Sequence, residues 1–483
     1  MHACVWFGRY FVPKEELFFK KDSQLFLESM LQKEKRIHFV GIKGSGMSAL
    51  AQFFMQGGVQ ICGSDVLDEF PIDALLRAKH ISVEQFSEEH ITKDFDRVIY
   101  STAWEENEEV SRARALNIPV ESYPQAVARI FNANKGIAVC GSHGKSTTTA
   151  WLGYVLSELG KDPSVILGSK VKQWDGNMRA GRSELCVLEA DEYQDKLSLY
   201  QPWSAILTNV DYDHPDFFKT KESYIDVFSR FCKKITDGFL VVCWDDAGVR
   251  TALADRPLDA IVRYGCGISC EYSFKNYTVS AGVVSYGITK HGCDVARITS
   301  SLPGKQNALN ALAVYALCDS VGYGTPQQIG DAIGTFQGIA RRFEYKGMFG
   351  RVTVIDDYAH HPTEISATLF AARDMFVGKR IWCVFSPHTF SRTESFKEAF
   401  AKSFLNADMA LILDIFSSAR EQAGKFHSSD LVSLIREYGG CAQYVRNSDD
   451  AALYIRDHVQ DMDVLLTLGA DEVWKVWKKL FGM

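Results

Sequence analysis

Residues 136–149 read GIAVCGSHGKSTTT, in which small residues, a lysine and a series of hydroxyl side chains follow a short apolar run. That combination does phosphate chemistry. A small-residue turn lets backbone N–H groups face inward, and the helix that follows adds its positive end, so an anion is held there. Lys145 supplies a full charge that reaches terminal phosphates, and the Ser146 hydroxyl can bind Mg2+. The usual phosphate loop has four residues between its first glycine and the Gly-Lys pair. Here Val139 stands at that glycine position, and only Ser142 and His143 separate Gly141 from Gly144. The mechanism does not depend on that count, so Gly141, Ser142, His143, Gly144, Lys145, Ser146 and Thr147 are read as a nucleotide phosphate cradle. The competing reading is a tight strand-to-helix turn. Glycine turns of that kind are common, but Gly-Lys-Ser followed by three threonines is not.

Two acid-ended apolar runs follow. LCVLEADEYQ carries Glu189, Asp191 and Glu192, and AILTNVDYDHPDFF carries Asp211, Asp213 and His214. Strands of a parallel sheet share one C-terminal edge, so these groups can converge on the phosphate loop. Glu189 and His214 can then hold a metal that bridges ATP and an oxyanion. Asp191 and Glu192 are expected to be solvated loop acids. An earlier loop, Gly44-x-Gly46-x-x-Ala49 with Asp65 about 20 residues on, fits the dinucleotide fingerprint. Other diphosphates, such as those of UDP-sugars, need the same glycines and helix end, and a purely structural turn remains open.

The elements that must position these groups alternate between short apolar runs and helix-length amphipathic stretches from residue 36 onward, the pattern of α/β layers with mostly parallel sheets. A chain of 483 residues accommodates about three domains of roughly 150 residues. The expected division is an amino-terminal arm (1–35) of unreadable role with part-helical SQLFLESMLQ, a Rossmann-like domain (36–133), a central P-loop ATPase-type parallel sheet (134–338) and a Rossmann-like α/β domain (339–483). In the stretch STTTAWLGYVLSELG, Trp151, Leu152, Val155, Leu156 and Leu159 lie on one helical face. With a net charge of −7, general nucleic-acid binding is not expected. Twelve cysteines without a C-x-x-C pair fit reduced thiols in the cytoplasm. No membrane span and no secretory signal are expected.

Taken together, GIKGSGMSALA, GSHGKSTTT, EADE, TNVDYDH, LPGKQNALNALA, RRFE, DDYAHHPTEI, FSPHTFSRT and LLTLGAD resemble the Mur ligases over about residues 36–483. Several of these motifs are weak singly; their order and spacing are specific. DDYAHHPTE and SPHTFSRT point to the alanine-adding branch and its close relatives. The resemblance implies a UDP-sugar domain, a central ATPase domain and a third domain that closes over both. It also implies an acyl-phosphate route, in which ATP phosphorylates the lactyl carboxylate of UDP-N-acetylmuramate and the amine of L-alanine displaces phosphate. ATP and two Mg2+ ions are the implied cofactors. It further implies that Lys145 meets the γ-phosphate, Ser146 binds Mg2+, and Glu189 and His214 hold the second metal. Asn307 would contact adenine, and Arg342 and Asp357 (or Asp356) the nucleotide from the third domain. His360, His361, His388 and Arg392 would surround the amino acid and the reacting carboxylate. Gly44, Ser45, Gly46, Met47, Asp65, Ser101, Thr102 and Ala103 would contact the UDP-sugar.

The physical logic agrees with these implied roles: a carboxylate and a triphosphate repel, so positive charge must be concentrated between them. His360 and His361 can alternatively cap the next helix, and Arg392 can be a salt-bridge residue. Departures from the family pattern are Lys43 for a glycine, Gln306 for a histidine, EADEY for EADES, and GAD for GAGD. Three other functions compete: an NAD-dependent oxidoreductase, a nucleotide switch without chemistry, and a sister ligase that adds a tripeptide during muropeptide recycling. Oligomeric state is not legible.

Overall fold

The computed structural model describes residues 34–483 except Glu69, Asp175 and residues 417–423. The expected SQLFLESMLQ helix lies outside the described residues. Three sheets follow one another along the chain. The first contains β1 (Arg36–Val40), β2 (Gln60–Asp65), β3 (Ser82–Gln85), β4 (Arg97–Tyr100) and β5 (Val120–Ser122), all parallel, in the order β3-β2-β1-β4-β5. That order reverses between β1 and β4, and the crevice at such a reversal is where α/β sheets bind ligands. The loops after β1, β2 and β4 meet there: Gly41 N–H donates to Ser64 O at 2.8 Å, and Ser101 N–H to Val40 O at 2.9 Å.

The second sheet is larger than the apolar runs suggest. β6 (Lys135–Cys140), β7 (Ser164–Val171), β8 (Gly176–Arg179), β9 (Leu185–Glu189), β10 (Ser204–Leu207), β11 (Leu240–Cys243), β12 (Val262–Tyr264), β13 (Tyr272–Ser280), β14 (Val283–Lys290) and β15 (Cys293–Ser300) lie in the order β15-β14-β13-β12-β11-β10-β6-β9-β7-β8. Its middle, from β12 to β7, is parallel. β8 is antiparallel to β7, and β13–β15 form an antiparallel meander. The meander adds an antiparallel edge to the mostly parallel central sheet that was expected. YSFKNYTVS and VVSYGITK alternate apolar with polar residues because one face meets solvent, and so they lack the continuous apolar run of a doubly covered strand. β6 sits between β10 and β9, at another reversal of strand order, and the phosphate loop leaves from its end.

The third sheet places β16 (Glu344–Phe349), β17 (Val352–Asp357), β18 (Ile381–Phe385), β19 (Met409–Ile412), β20 (Ala442–Tyr444) and β21 (Val464–Leu468) in the order β16-β17-β21-β18-β19-β20. Only β16 runs antiparallel to its neighbour.

Helix Lys145–Glu158 buries Trp151, Leu152, Val155 and Leu156 against the central sheet, each worth about 1.5–3 kcal/mol or more. The Trp151 indole N–H also donates to Ile333 O at 3.1 Å, satisfying its one polar atom inside the core. Helix Ser45–Gln56 packs across onto β7 and β8, and its buried face joins the core of the second domain. Asn177 closes that junction by donating to Ser45 O at 2.8 Å. The start of this helix, where the first glycine loop ends, thus lies against the second domain. Among the described residues, no helix is long and apolar enough to cross a membrane.

Candidate active site

The phosphate loop takes its shape from two glycines. Gly144 has φ +79° and caps helix Lys145–Glu158, and a β-carbon there would lie 2.7 Å from Asn310 Oδ1. Gly141, at φ +129°, lies so close to the Thr208 hydroxyl and the Asn209 backbone that no side chain fits. The strand end of β10 then holds the loop. Thr208 Oγ1 and Asn209 Nδ2 donate to His143 O at 2.7 and 3.0 Å, and His143 N–H donates to Asn209 Oδ1 at 2.9 Å. Ser142 Oγ donates to Asp211 O at 2.6 Å and lies 2.7 Å from the Tyr224 hydroxyl. Its side chain is thus spent on shaping the loop.

Lys145 is turned back onto the cradle. Its ammonium donates to Gly141 O at 2.6 Å and Ser142 O at 3.1 Å, and is 2.9 Å from Glu192 Oε2. Burial alone would lower its pKa, but Glu192, Asp191 and Glu189 outweigh that and raise it. Glu192 was expected in solvent; it is fully buried, with Tyr224 donating to its other oxygen at 3.1 Å. Asp191 is half-buried and paired with Lys196 at 2.5 Å. Glu192 departs from the solvated-acid reading because the loop after β9 turns it inward toward Lys145, whereas the Asp191 carboxylate stays partly in solvent.

The metal-ligating groups are also regrouped. Glu189 accepts from Ser146 Oγ and, at 2.8 Å, from Gly168 N–H. His214 Nε2 lies 3.7 Å from Glu192 and 3.9 Å from Asp213. Asp191, Glu192 and His214 place one ligand atom each within 4.8 Å of one another. Glu189, expected to share an ion with His214, is bonded to Ser146, while His214 groups with Asp191 and Glu192. These oxygen-rich sets fit a hard divalent cation such as Mg2+.

The third domain roofs this edge. Glu364, part-buried at the start of the helix Pro362–Met375, stands 3.4 Å from His143 Nδ1, 3.4 Å from Arg342 and 3.3 Å from His360 Nδ1. Burial favours its neutral form, but Arg342, His360 and His143 hold its pKa well below the usual range. Burial opposes charge on His143 too; its bonds to Asp211 (3.1 Å) and Glu364 win and raise its pKa to about 9. Burial instead keeps His360 neutral, with a pKa of about 3, and His361 likewise, at about 4. His361 Nδ1 accepts from Thr363 N–H at 3.3 Å and so does cap its helix, while among the described residues its buried Nε2 has no hydrogen-bond partner. Thr363 Oγ1 donates to Asp211 at 2.6 Å. Arg392 is buried and bidentate on Asp213, at 3.0 and 3.3 Å, which makes it a clasp between the second and third domains. His388 stacks on Phe416, with ring centres 5.7 Å apart.

Beneath this roof a cleft of about 380 Å³ opens between the two domains, lined among others by His143, Thr147, Asn307, Asn310, Arg342 and Asp357. Asn307 Nδ2 donates to Pro303 O at 2.7 Å. Asp357, raised to about 6 by burial, accepts from Phe343 and Ala359 N–H at 2.8 Å each. Asp356 turns to the other side, onto Arg341 and Thr467. Asn310 and Glu364 were not singled out from the sequence, and Asp211 and Asp213 were placed near the phosphate loop without an assigned role. Asn310 had a signal: it lies three residues after Asn307, on the same helix face.

In the first domain, Gly44, Ser45, Gly46 and Met47 open helix Ser45–Gln56, and the Ser101–Ala103 turn lies beside them over β4. Asp65 accepts Lys43 N–H at 2.7 Å and Val66 N–H at 2.8 Å, so both of its oxygens hold backbone. The Lys43 ammonium bonds Val66 O, Asp68 O and Asp73 and pins the loop to the end of β2.

A glycine-turn domain, a P-loop domain with acid-ended strands and a closing α/β domain, all meeting at one cleft, define a family. The chain belongs to the Mur ligases. Residues 36–147 match the Mur ligase family catalytic domain, 139–318 the Mur ligase middle domain and 341–471 the Mur ligase glutamate ligase domain. Its relatives narrow the class. It is 40% identical to the UDP-N-acetylmuramate–L-alanine ligase of Desulfitobacterium hafniense, across 92% of this chain and 99% of that one. The enzyme of that description from Caldanaerobacter subterraneus is 37% identical, across 94% and 98%. The crystal structure of UDP-N-acetylmuramate–alanine ligase from Thermotoga maritima superposes with a TM-score of 0.77 at 28% identity, covering 92% of this chain and 98% of that one.

Proposed function

We propose that this chain is an ATP-dependent ligase that joins L-alanine to the lactyl carboxylate of UDP-N-acetylmuramate, a step of peptidoglycan precursor synthesis. The observation that carries the reading is the junction of His143, Asp211 and Glu364: the phosphate loop, the second acid-ended strand and the third-domain roof share one hydrogen-bonded cluster over one cleft. An oxidoreductase or a simple switch has no use for that roof. Full-length similarity to alanine ligases supports the choice of substrates.

In this reading the loop amides and Lys145 hold the ATP phosphates, and the rest of the nucleotide lies along Asn307, Asn310, Arg342 and Asp357. The substrate carboxylate attacks the γ-phosphorus and ADP leaves. The alanine amine then attacks the acyl carbon and phosphate leaves. Ser146 and Glu189 would hold one Mg2+, and Asp191, Glu192 and His214 a second. Bound Mg2+ screens phosphate charge and orients its oxygens. The first glycine loop holds the UDP end. The neutral His360 and His361 line the roof without adding charge, while the Asp213–Arg392 clasp keeps the third domain down and water away from the acyl phosphate. The free thiols among the described residues suit a cytoplasmic setting, where reduced cysteine persists.

The test is phosphate release by the purified protein with UDP-N-acetylmuramate, ATP and Mg2+ on addition of L-alanine, serine, glycine or a tripeptide. Release with alanine supports the reading. Release with the tripeptide alone replaces it with the recycling ligase, and release with none of them removes it.

A further inference from the structure

The first and second domains meet at Tyr123. It begins the helix Tyr123–Asn132, whose start is fixed by Ser122 N–H donating to Gln125 Oε1 at 2.9 Å. That helix packs on helix Ser45–Gln56, on β9 and on the turn Tyr193–Leu199. The Tyr123 phenol lies on Gly46: a β-carbon there would sit 2.6 Å from the ring Cζ and 2.7 Å from the hydroxyl oxygen. A side chain at residue 46 would meet this ring, which would have to shift to admit it. The hydroxyl consequently stands over the first turn of helix Ser45–Gln56, where N–H groups have no intrahelical acceptor. The ring is only partly buried, and among the described residues its hydroxyl has no hydrogen-bond partner. Burial, and then the charges of Glu189 and Asp191, push its ionisation up, so it stays a neutral donor.

We propose that Tyr123 is a substrate-contact residue for the nucleotide sugar, its hydroxyl donating a hydrogen bond to a diphosphate oxygen where the substrate leaves the first glycine loop for the phosphate loop. The proposal rests on the function proposed above. It adds a donor from a third element, beyond the glycine fingerprint, which the sequence motif alone does not include. It also explains why the first and second domains are fixed to each other here: the contact works only while helix Tyr123–Asn132 and helix Ser45–Gln56 keep their register.

Tyr123→Phe keeps the ring against Gly46 and removes only the hydroxyl. Calorimetric titration of the full chain with UDP, UDP-N-acetylmuramate and ATP, beside KM values for all three substrates, reads the contact directly. A hydrogen bond to a charged oxygen predicts a loss of about tenfold or more in affinity for both uridine ligands. ATP affinity, KM for alanine and the melting temperature should stay as in the unaltered protein. Unchanged UDP affinity in folded Tyr123→Phe overturns the proposal, and so does an equal loss for ATP, which would mark general loosening. If the unaltered protein binds no uridine ligand, it is the functional reading that fails, and this shows before any variant is made.

Discussion

Glu364 of the third domain lies 3.4 Å from His143 of the phosphate loop, and the same part-buried carboxylate reaches Arg342 and His360. One side chain therefore ties the nucleotide loop to the domain that covers it. Replacing it by the isosteric, uncharged glutamine leaves Arg342 and His143 facing each other without their shared counter-ion. Glu364→Gln should lower kcat/KM for ATP about tenfold to a hundredfold, mainly through KM, and lower stability by about 3–5 kcal/mol. Steady-state kinetics and denaturant unfolding check the two parts.

The same contact makes a pH prediction. His143 has its pKa raised from 6.5 to about 9, so the stability it brings is fully present below pH about 6.5 and is lost as the pH rises through about 9. Asp211, lowered from 3.8 to about 2, contributes above about 3.8 and loses its contribution as the pH falls through about 2. The melting temperature of the unaltered protein minus that of His143→Gln should be largest near pH 6 and shrink toward pH 9. A difference that stays flat across that window would sink the assignment.

Lys145 and Glu192 form a buried pair at 2.9 Å. Lys145→Met strands the Glu192 charge and should cost about 3–5 kcal/mol together with all turnover. Adding Glu192→Gln should restore most of the stability and none of the activity. The two readouts part company because the lysine has separate structural and chemical tasks, and a double-mutant cycle measures this.

Arg392 and Asp213 clasp the second and third domains through two buried hydrogen bonds. Arg392→Met should free the third domain to move, which small-angle scattering would register as a larger radius of gyration without ligand. Arg392→Lys should be only partly effective, since a lysine cannot make the bidentate contact. Unchanged scattering in Arg392→Met would show that other contacts hold the third domain.

Much of the layout was legible because it is local. Glycines at Gly141 and Gly144, the helix that starts at Lys145 and the alternating apolar runs each report their own backbone. The meander β13–β15 was not legible, since half-exposed strands carry polar residues at every second position. Glu192 was misplaced for a related reason: a loop acid looks the same in sequence whether its loop bends toward solvent or toward a lysine.

The sequence by itself determined the chemical kinds present: a phosphate cradle, carboxylates and imidazoles at strand ends, and a glycine turn for a diphosphate. Only the tertiary structure decided which of them pair. Glu192 was assigned to Lys145, Glu189 to Ser146, Glu364 to His143, and Arg392 to Asp213, each across a gap of dozens of residues or more. The physical reason is that charge pairing depends on distance and burial in space. Both are set by how three sheets dock against one another, and a linear order of residue types does not contain that docking.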